Sequence, residues 1–308
     1  MCKVSVVMPA YNAERYVKES ALSILKQTLT DFELIIIDDG STDNTPSILR
    51  RLAASDSRIR LITQPNAGVT ASLNRGIEAA RSNIIARMDA DDVSLPDRLQ
   101  AEYDYLTQHP GVVLVGTDYN VINDGGQTLS RVRVPNEDED LRMLLRLNSP
   151  FAHGSVMYRK ADFDRAGRYR KAGGSAEDYD LWVRFASLGT LYVIPKVLFQ
   201  WRLGDSNITT VKSSQVEASA AHIRSTTDNI QQIQPSFEYI RAKKVHYSQA
   251  RYRNLLMSYS QLAVQLIKRR DIRGVPILSV LFKSADGRQA IADRIVKVAT
   301  GGRRALIK

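Results

Sequence analysis

Four strand-like apolar runs, "VSVVM" (residues 4 to 8), "FELIIID" (32 to 38), "IRLIT" (59 to 63) and "IIARM" (84 to 88), recur at short, regular intervals. Between them lie "AERYVKESALSILKQ", "TPSILRRLAAS" and "VTASLNRGIEAARS", whose apolar residues fall three and four apart, the spacing of one helix face. Strands alternating with helices on this period form βαβ units, so residues 1–110 are expected to build a doubly wound, mainly parallel sheet covered on both faces. Beyond them "VVLVGTDYNVI" turns at "NDGG" and returns as "TLSRVRV", the pattern of a hairpin. From Lys212 onward the strand pattern gives way to a helical one, broken at Pro235, at Gly274 to Pro276 and at Gly301 to Gly302. The organisation expected is an α/β region over 1–204, divided into 1–110 and 111–204, followed by a basic helical region over 205–308.

That last region carries the charge. Residues 205–308 hold 18 Lys and Arg against 7 Asp and Glu, whereas residues 1–204 hold 25 against 26, so the whole net charge of +10 arises at the C-terminal end. Such asymmetry suits an anionic surface, either a membrane leaflet or nucleic acid. A helical lid packing its apolar face on the preceding region, with its charges solvated, accounts for the same composition. No stretch approaches the roughly 20 apolar residues needed to cross a bilayer, and the N-terminus lacks the apolar segment of a signal peptide. One cysteine, Cys2, excludes an internal disulfide, and four scattered histidines give no zinc spacing. The expected location is therefore the cytoplasm, with a peripheral position on the cytoplasmic face of the membrane left open.

The polar clusters sit at strand ends. "PAYN" follows the first run, "DDGSTD" the second and "DADD" the fourth, so all three meet at the carboxyl edge of the sheet, where open α/β sheets bind ligands. Tyr11 offers a ring for stacking on a base; a plain strand-to-helix loop capped by Asn12 explains it equally. Asp38 and Asp39 are acceptors for a base N–H or a ribose hydroxyl, or else belong to an acidic turn leading into a capped helix. In "ARMDADDVSLPDRL", Asp89, Asp91 and Asp92 crowd three carboxylates into four positions. Ser94, with Asp97 three residues on and Pro96 in the first turn, is expected to cap the following helix, which leaves Asp89 and Asp91 for another purpose. Open oxygen ligands of this kind suit Mg²⁺ or Mn²⁺, which takes one or two protein carboxylates and shares phosphate oxygens with a substrate.

Six ordered segments, "VSVVMPAYN", "ELIIIDDGSTDNT", "NAGVTASLNRGI", "ARMDADDVSLPDRL", "FAHGSVMYR" and "AEDYDLWVRFASLG", together resemble the family 2 glycosyltransferases of the GT-A fold, bacterial enzymes that build surface polysaccharides and glycolipids. The resemblance covers residues 1 to about 204. It implies an inverting, metal-dependent transfer from a nucleotide-sugar donor, UDP-linked in the first instance, to a hydroxyl of a glycan or lipid-linked acceptor. Carried over residue by residue, it places Tyr11 with Pro9 at the nucleotide base, and Asp38 and Asp39 at base and ribose, with Asp39 preferred for the base N–H. Asp89 falls at the ribose, Asp91 at the divalent metal and Asp178 at the catalytic base. Asn66, Arg75, Arg87, His153 and Glu177 are secondary candidates for the substrate site, Arg75 and Arg87 as phosphate contacts or as plain solvated charges. Where many relatives carry Y-R-x-H after the last strand, this chain reads "WRLG" at Trp201 to Gly204, without the histidine.

Two other classes fit less well. A sugar-nucleotide nucleotidyltransferase calls for a Gly-rich phosphate loop where this chain has "PAYNAERY". A nucleic-acid-binding protein would explain the basic tail, yet an acidic ligand edge repels phosphates and no basic-aromatic or zinc-finger signature is present, so nucleic acid is not an expected partner.

Overall fold

The computed structural model describes residues 2–146, 148–171, 174–204 and 213–226, with isolated positions 255, 256, 281, 286, 287, 289 and 290. The expectations for the basic tail, including membrane contact through "VPILSVLF", fall almost entirely outside these residues.

The chain begins as the alternation predicts: β1 (Val4–Ala10), α1 (Val17–Leu25), β2 (Phe32–Asp38), α2 (Thr45–Ser55), β3 (Ile59–Thr63), α3 (Val69–Glu78) and β4 (Ile84–Arg87). These strands pair in parallel in the order β3-β2-β1-β4, with Val6 opposite Leu34 and Ala86. All seven residues of β2 are buried, which explains its continuous apolar run: a central parallel strand has no solvent face.

The second half is mixed. It comprises β5 (Val93–Ser94), α4 (Arg98–Gln108), β6 (Val112–Ile122), β7 (Thr128–Val132), α5 (Asp138–Leu145), a 3-10 turn (His153–Ser155), β8 (Val156–Arg159), α6 (Lys160–Arg165), α7 (Glu177–Phe185) and β9 (Thr190–Arg202). Here β8 runs antiparallel to β4 and to β6, β9 is parallel to β6, and β5 is antiparallel to β9. The expected hairpin is β6 and β7, with a register shift at Val121 and Ile122. All nine described strands form one sheet, β3-β2-β1-β4-β8-β6-β9-β5, with β7 beside β6.

Alternation along β1 divides the core in two. Val6 and Met8 join Ile24 of α1, Leu49 of α2 and Leu99 and Leu106 of α4 on one face. Val7 turns to the other face, with Leu73 and Ile77 of α3, Leu141 of α5 and Trp182 and Phe185 of α7. Fully burying a side chain of this size stabilises by about 1.5–3 kcal/mol, so each face is a substantial source of stability. A further helix, α8 (Ser213–Thr226), adds Ala220 and Ile223 to the α7 face. Among the described residues no helix is long and apolar enough to cross a membrane.

One local expectation fails. Ser94 does not cap α4: it lies in β5, and its Oγ accepts hydrogen bonds from Arg98 Nε at 2.8 Å and Gln27 Nε2 at 3.1 Å. The helix starts at Arg98, and Asp97 at its cap position makes no side-chain capping bond. Gln27, just past the end of distant α1, and Arg98, four residues on, claim the hydroxyl in place of the cap, so the capping argument that left Asp89 and Asp91 spare no longer stands.

Candidate functional site

Because β2, β1 and β4 are neighbours, their carboxyl ends bring residues 9–12, 38–41 and 88–92 together. The first two loops are stitched by reciprocal bonds. Asn12 N donates to Ser41 Oγ at 3.0 Å and Thr42 N to Asn12 Oδ1 at 2.8 Å, while Glu14 N and Asn44 N donate to the Asp43 and Glu14 carboxylates. Asn12 thus serves this stitch, in a left-handed backbone conformation with φ of 46°, and caps no helix. Pro9 is half-buried beneath the junction, and Tyr11 stands over it 51% exposed, its ring free to take a flat ligand.

Asp38 and Asp39 are both buried, with different commitments. Asp38 Oδ1 accepts from Ser41 N at 3.1 Å. Asp39 accepts three bonds, from Gln64 Nε2 at 2.6 Å, Ala67 N at 2.9 Å and Gly68 N at 2.9 Å, and so fixes the loop leading into α3. A carboxylate has about four acceptor positions, leaving roughly one for a ligand N–H. Gly40 makes this close approach possible: it adopts φ of +74°, and a Cβ there would lie 2.7 Å from Asn66 N. Asn66 is exposed on the rim of the same loop. Arg75 is also exposed and donates to Gln64 Oε1 at 2.9 Å, orienting the amide that holds Asp39.

The acidic triplet is offset by arginines of the chain itself. Arg87 is wholly buried; its guanidinium donates to Val7 O at 2.9 Å, to Met88 O at 2.6 Å and to Asp89 Oδ1 at 2.5 Å. Neither a phosphate contact nor a solvated charge describes Arg87: with no exposed surface, it is an internal ion-pair partner. Arg202, the arginine of "WRLG", donates to Asp91 O at 2.7 Å, to Asn123 O and Asp124 O, and to Glu19 Oε2 at 2.7 Å, and it lies 4.3 Å from the centre of the Tyr16 ring. The Arg202 main-chain N–H reaches Asp92 Oδ1 at 2.7 Å.

Three crowded carboxylates do not then carry three equal charges. Burial, the largest single influence, raises Asp89, but the charge and hydrogen bond of Arg87 together with further positive groups nearby outweigh it and hold the group below the usual carboxylate range. Asp91 is pushed up to about 6 by burial and then by the Asp89 charge. Asp92, buried in full, is pushed well above its usual value by burial and by the Asp91 and Asp89 charges. Asp91 is half-buried, and its carboxylate accepts only from its own backbone N–H among the described residues. No group of three His, Cys, Asp or Glu side chains that could hold a metal exists among the described residues. One open carboxylate beside an ionised neighbour fits a divalent cation shared with a substrate diphosphate, and does not fit a metal held by protein alone.

Facing these loops are the 3-10 turn and the first turn of α7. Gly154 is required where it stands, since a Cβ would lie 2.6 Å from Phe199 Cζ and 3.0 Å from Asp89 Oδ2. His153 belongs to this turn and not to a strand. Its Nε2 lies 2.8 Å from Tyr169 Oη, and its ring meets the Trp182 edge with centroids 5.9 Å apart. Burial, then the Arg87 charge, drives its pKa down to about 3, so it is a neutral imidazole at physiological pH. Glu177 and Asp178 open α7. Burial raises Glu177 to about 7, with the Asp178 charge adding to it. Burial raises Asp178 to about 6, against the pull of the backbone N–H of Tyr179. The Asp89 charge acts on both acids, which places the two acidic centres in one electrostatic neighbourhood. Tyr169, Trp182 and Gly154 shape this side of the site and were not singled out from sequence, although "FAHGSVMYR" and "AEDYDLW" contain two of them.

The model of glycosyl transferase family 2 matches residues 5–167. Over 182 residues the chain is 36% identical to the O-antigen biosynthesis glycosyltransferase WbnJ of Escherichia coli, covering 59% of this chain and 70% of that one. It is 39% identical over 191 residues to the putative glycosyltransferase EpsE of Bacillus subtilis, covering 61% and 68%. The fold matches S. aureus TarS 1-349 in complex with UDP-GlcNAc, with a TM-score of 0.61, 16% identity and coverage of 97% of this chain and 92% of that one. It also matches the mannosyltransferase PcManGT of Pyrobaculum calidifontis in complex with GDP-Man and Mn²⁺, with a TM-score of 0.56, 18% identity and coverage of 92% and 86%. A doubly wound sheet that gathers its acidic loops at one edge, a family model spanning more than half the sequence, and relatives engaged in polysaccharide biosynthesis lead to one assignment: the chain belongs to glycosyl transferase family 2, as a glycosyltransferase of GT-A fold.

Proposed function

We propose that this glycosyltransferase transfers a sugar, with inversion, from a nucleoside diphosphate donor to a hydroxyl of a glycan or lipid-linked acceptor during the assembly of a surface polysaccharide. The reading rests on one observation above the others: Asp178, a half-buried carboxylate raised to about 6, opens α7 within the field of Asp89 at the strand ends. A carboxylate of that pKa is ionised at neutral pH yet basic enough to accept a proton in the transition state.

In this reading Tyr11 stacks on the base, and Asp38 and Asp39 accept from base and ribose. Asp89, held by Arg87, faces the ribose. The acceptor oxygen forms its bond to the anomeric carbon as the bond from that carbon to the diphosphate oxygen breaks, and the hydroxyl proton passes to Asp178. Asp91 would hold a divalent cation, Mn²⁺ or Mg²⁺, which supplies charge stabilisation to the departing diphosphate. Neutral His153, beside Tyr169, presents a hydrogen-bonding edge to the sugar and adds no charge to the site. A UDP-sugar is the first donor to examine, in keeping with the UDP and UDP-GlcNAc complexes of TarS. The basic balance of residues 205–308 supports contact with an anionic leaflet on the cytoplasmic face, where a lipid-linked acceptor would lie. Neither a nucleotidyltransferase nor a nucleic-acid-binding role gains support from the family.

The test separates binding from chemistry. Asp178→Asn preserves shape while removing the proton acceptor, so calorimetry should record donor affinity near that of the parent while transfer falls by about 10²–10⁴. Transfer at a near-parental rate would remove Asp178 from the mechanism.

A further inference from the structure

Arg98 is a fully buried arginine on α4, behind the sheet and out of reach of any substrate. Its guanidinium joins two backbone segments that are far apart in sequence. Nη1 donates to Arg87 O at 3.0 Å, at the end of β4, and to Gly154 O, in the turn before β8. Nε donates to Ser94 Oγ at 2.8 Å, in the strand that follows the acidic triplet. The guanidinium carbon lies 5.4 Å from the centre of the Phe199 ring, and that ring packs against Gly154. Gly154 in turn abuts the Asp89 carboxylate and its main-chain nitrogen. Arg98 therefore ties together the structures on three sides of Asp89: the strand before it, the segment after it and the turn across from it.

Glu102, one helical turn on, is equally buried. Neither of its carboxylate oxygens accepts a hydrogen bond among the described residues, from Arg98 or from any other donor. Burial pushes Glu102 up to about 8 in spite of the Arg98 charge, so it does not neutralise Arg98 as a tight ion pair at neutral pH. The guanidinium is instead committed through Nη1 to two main-chain carbonyls and through Nε to the Ser94 hydroxyl, while Nη2 makes no hydrogen bond among the described residues. An arginine is suited to this task because its planar fork addresses several oxygens at once, which an ammonium on a flexible stem does not.

We infer that Arg98 is a positioning residue for donor binding, setting the place of the Asp89 carboxylate by clamping the end of β4 against the 153–155 turn. The inference rests on the reading of Asp89 as a donor contact. It assigns no substrate contact to Arg98: the effect passes entirely through Asp89.

Four variants test it by steady-state kinetics and thermal unfolding, the fourth combining Arg98→Lys with Asp89→Asn. Arg98→Lys keeps the charge and loses the clamp. The double variant Arg98→Met with Glu102→Leu replaces both buried polar groups by apolar side chains of similar volume, an exchange that cores commonly accept. Asp89→Asn is measured beside them. Each Arg98 variant should raise the donor KM about tenfold, the scale of losing an outer partner that orients a ligand-binding side chain, with acceptor KM unchanged and the melting temperature of the double variant within a few degrees of the parent. The decisive readout is non-additivity: combined with Asp89→Asn, Arg98→Lys should cost little more than Asp89→Asn alone, whereas a purely structural role would add its full effect. A parental donor KM in folded Arg98 variants, with Asp89→Asn impaired, would overturn the inference and leave the reading of Asp89 intact. A parental donor KM in Asp89→Asn would overturn that reading, and the inference with it. If the double variant does not fold, Arg98→Lys alone decides between these outcomes, by the same donor KM and the same non-additivity.

Discussion

Removing Asp178, the proposed catalytic base, should make this protein more stable, and by an amount that depends on pH. Asp178 is raised from 3.8 to about 6 in the folded chain. Its native state therefore holds a proton that the unfolded chain has released over the window between those values, and stability falls as pH rises through that window. Above about pH 6 the full cost is present: roughly two units at about 1.36 kcal/mol each give about 3 kcal/mol. By the same relation about half of that remains at pH 5 and under about 1 kcal/mol at pH 4. Asp178→Asn is neutral at every pH and escapes the cost. It also removes the charge that helps to raise Glu177. The variant should melt about 5 °C above the parent at pH 8 and close to it at pH 4, in buffers containing a chelator and no nucleotide. Activity moves the other way, since a base of pKa about 6 is about 90% ionised at pH 7 and about 10% at pH 5, so transfer by the parent should fall about tenfold between them. A variant no more stable than the parent at pH 8, or a gap that does not change with pH, would refute the argument that burial raises this carboxylate.

Two further outcomes follow from the donor side. Asp91→Ala should abolish the Mn²⁺-dependent part of donor binding in calorimetry while leaving metal-free nucleotide affinity close to the parent; unchanged Mn²⁺ dependence would place the metal elsewhere. Asp39→Asn leaves at least one of the Gln64, Ala67 and Gly68 donors without its acceptor and should lower stability by about 1–3 kcal/mol in urea unfolding, together with nucleotide affinity. Full stability would show that the loop before α3 is held by other means.

The fold was legible where local pattern and tertiary role agree. The βαβ alternation gave β1 to β4 within a few residues, because strands buried on both faces must be apolar throughout and their helices must show one apolar stripe. That Tyr11, Asp38, Asp39, Asp89 and Asp91 lie at one edge of the sheet followed from their places at the carboxyl ends of the strands; the strand order that makes them neighbours did not. What could not be read was the set of long-range partners. Arg87, Arg98 and Arg202 look in sequence like any surface charge, yet each is buried, and the bonds that bury them reach back or forward by up to 183 residues. Ser94 misled in part for the same reason: its spacing to Asp97 fits a cap, but Gln27, 67 residues away, shares its hydroxyl with the nearby Arg98. The acidic triplet did demand a cation, and the internal part of the answer came from Arg87, two residues away in sequence, and from Arg202, whose proximity only the folded sheet creates.

The antiparallel strand β8 has a consequence for motion. Its residues pair with β4 on one side, Ile85 opposite Tyr158, and with β6 on the other, Leu114 opposite Tyr158. The region bearing the nucleotide loops and the region bearing Asp178 therefore share one uninterrupted hydrogen-bond ladder. Hinged closure, in which two lobes swing about a linker, would have to tear that ladder along its length. Any movement that shuts water out at the moment of transfer therefore has to come from the loops at the sheet edge, with no swing of one lobe against the other.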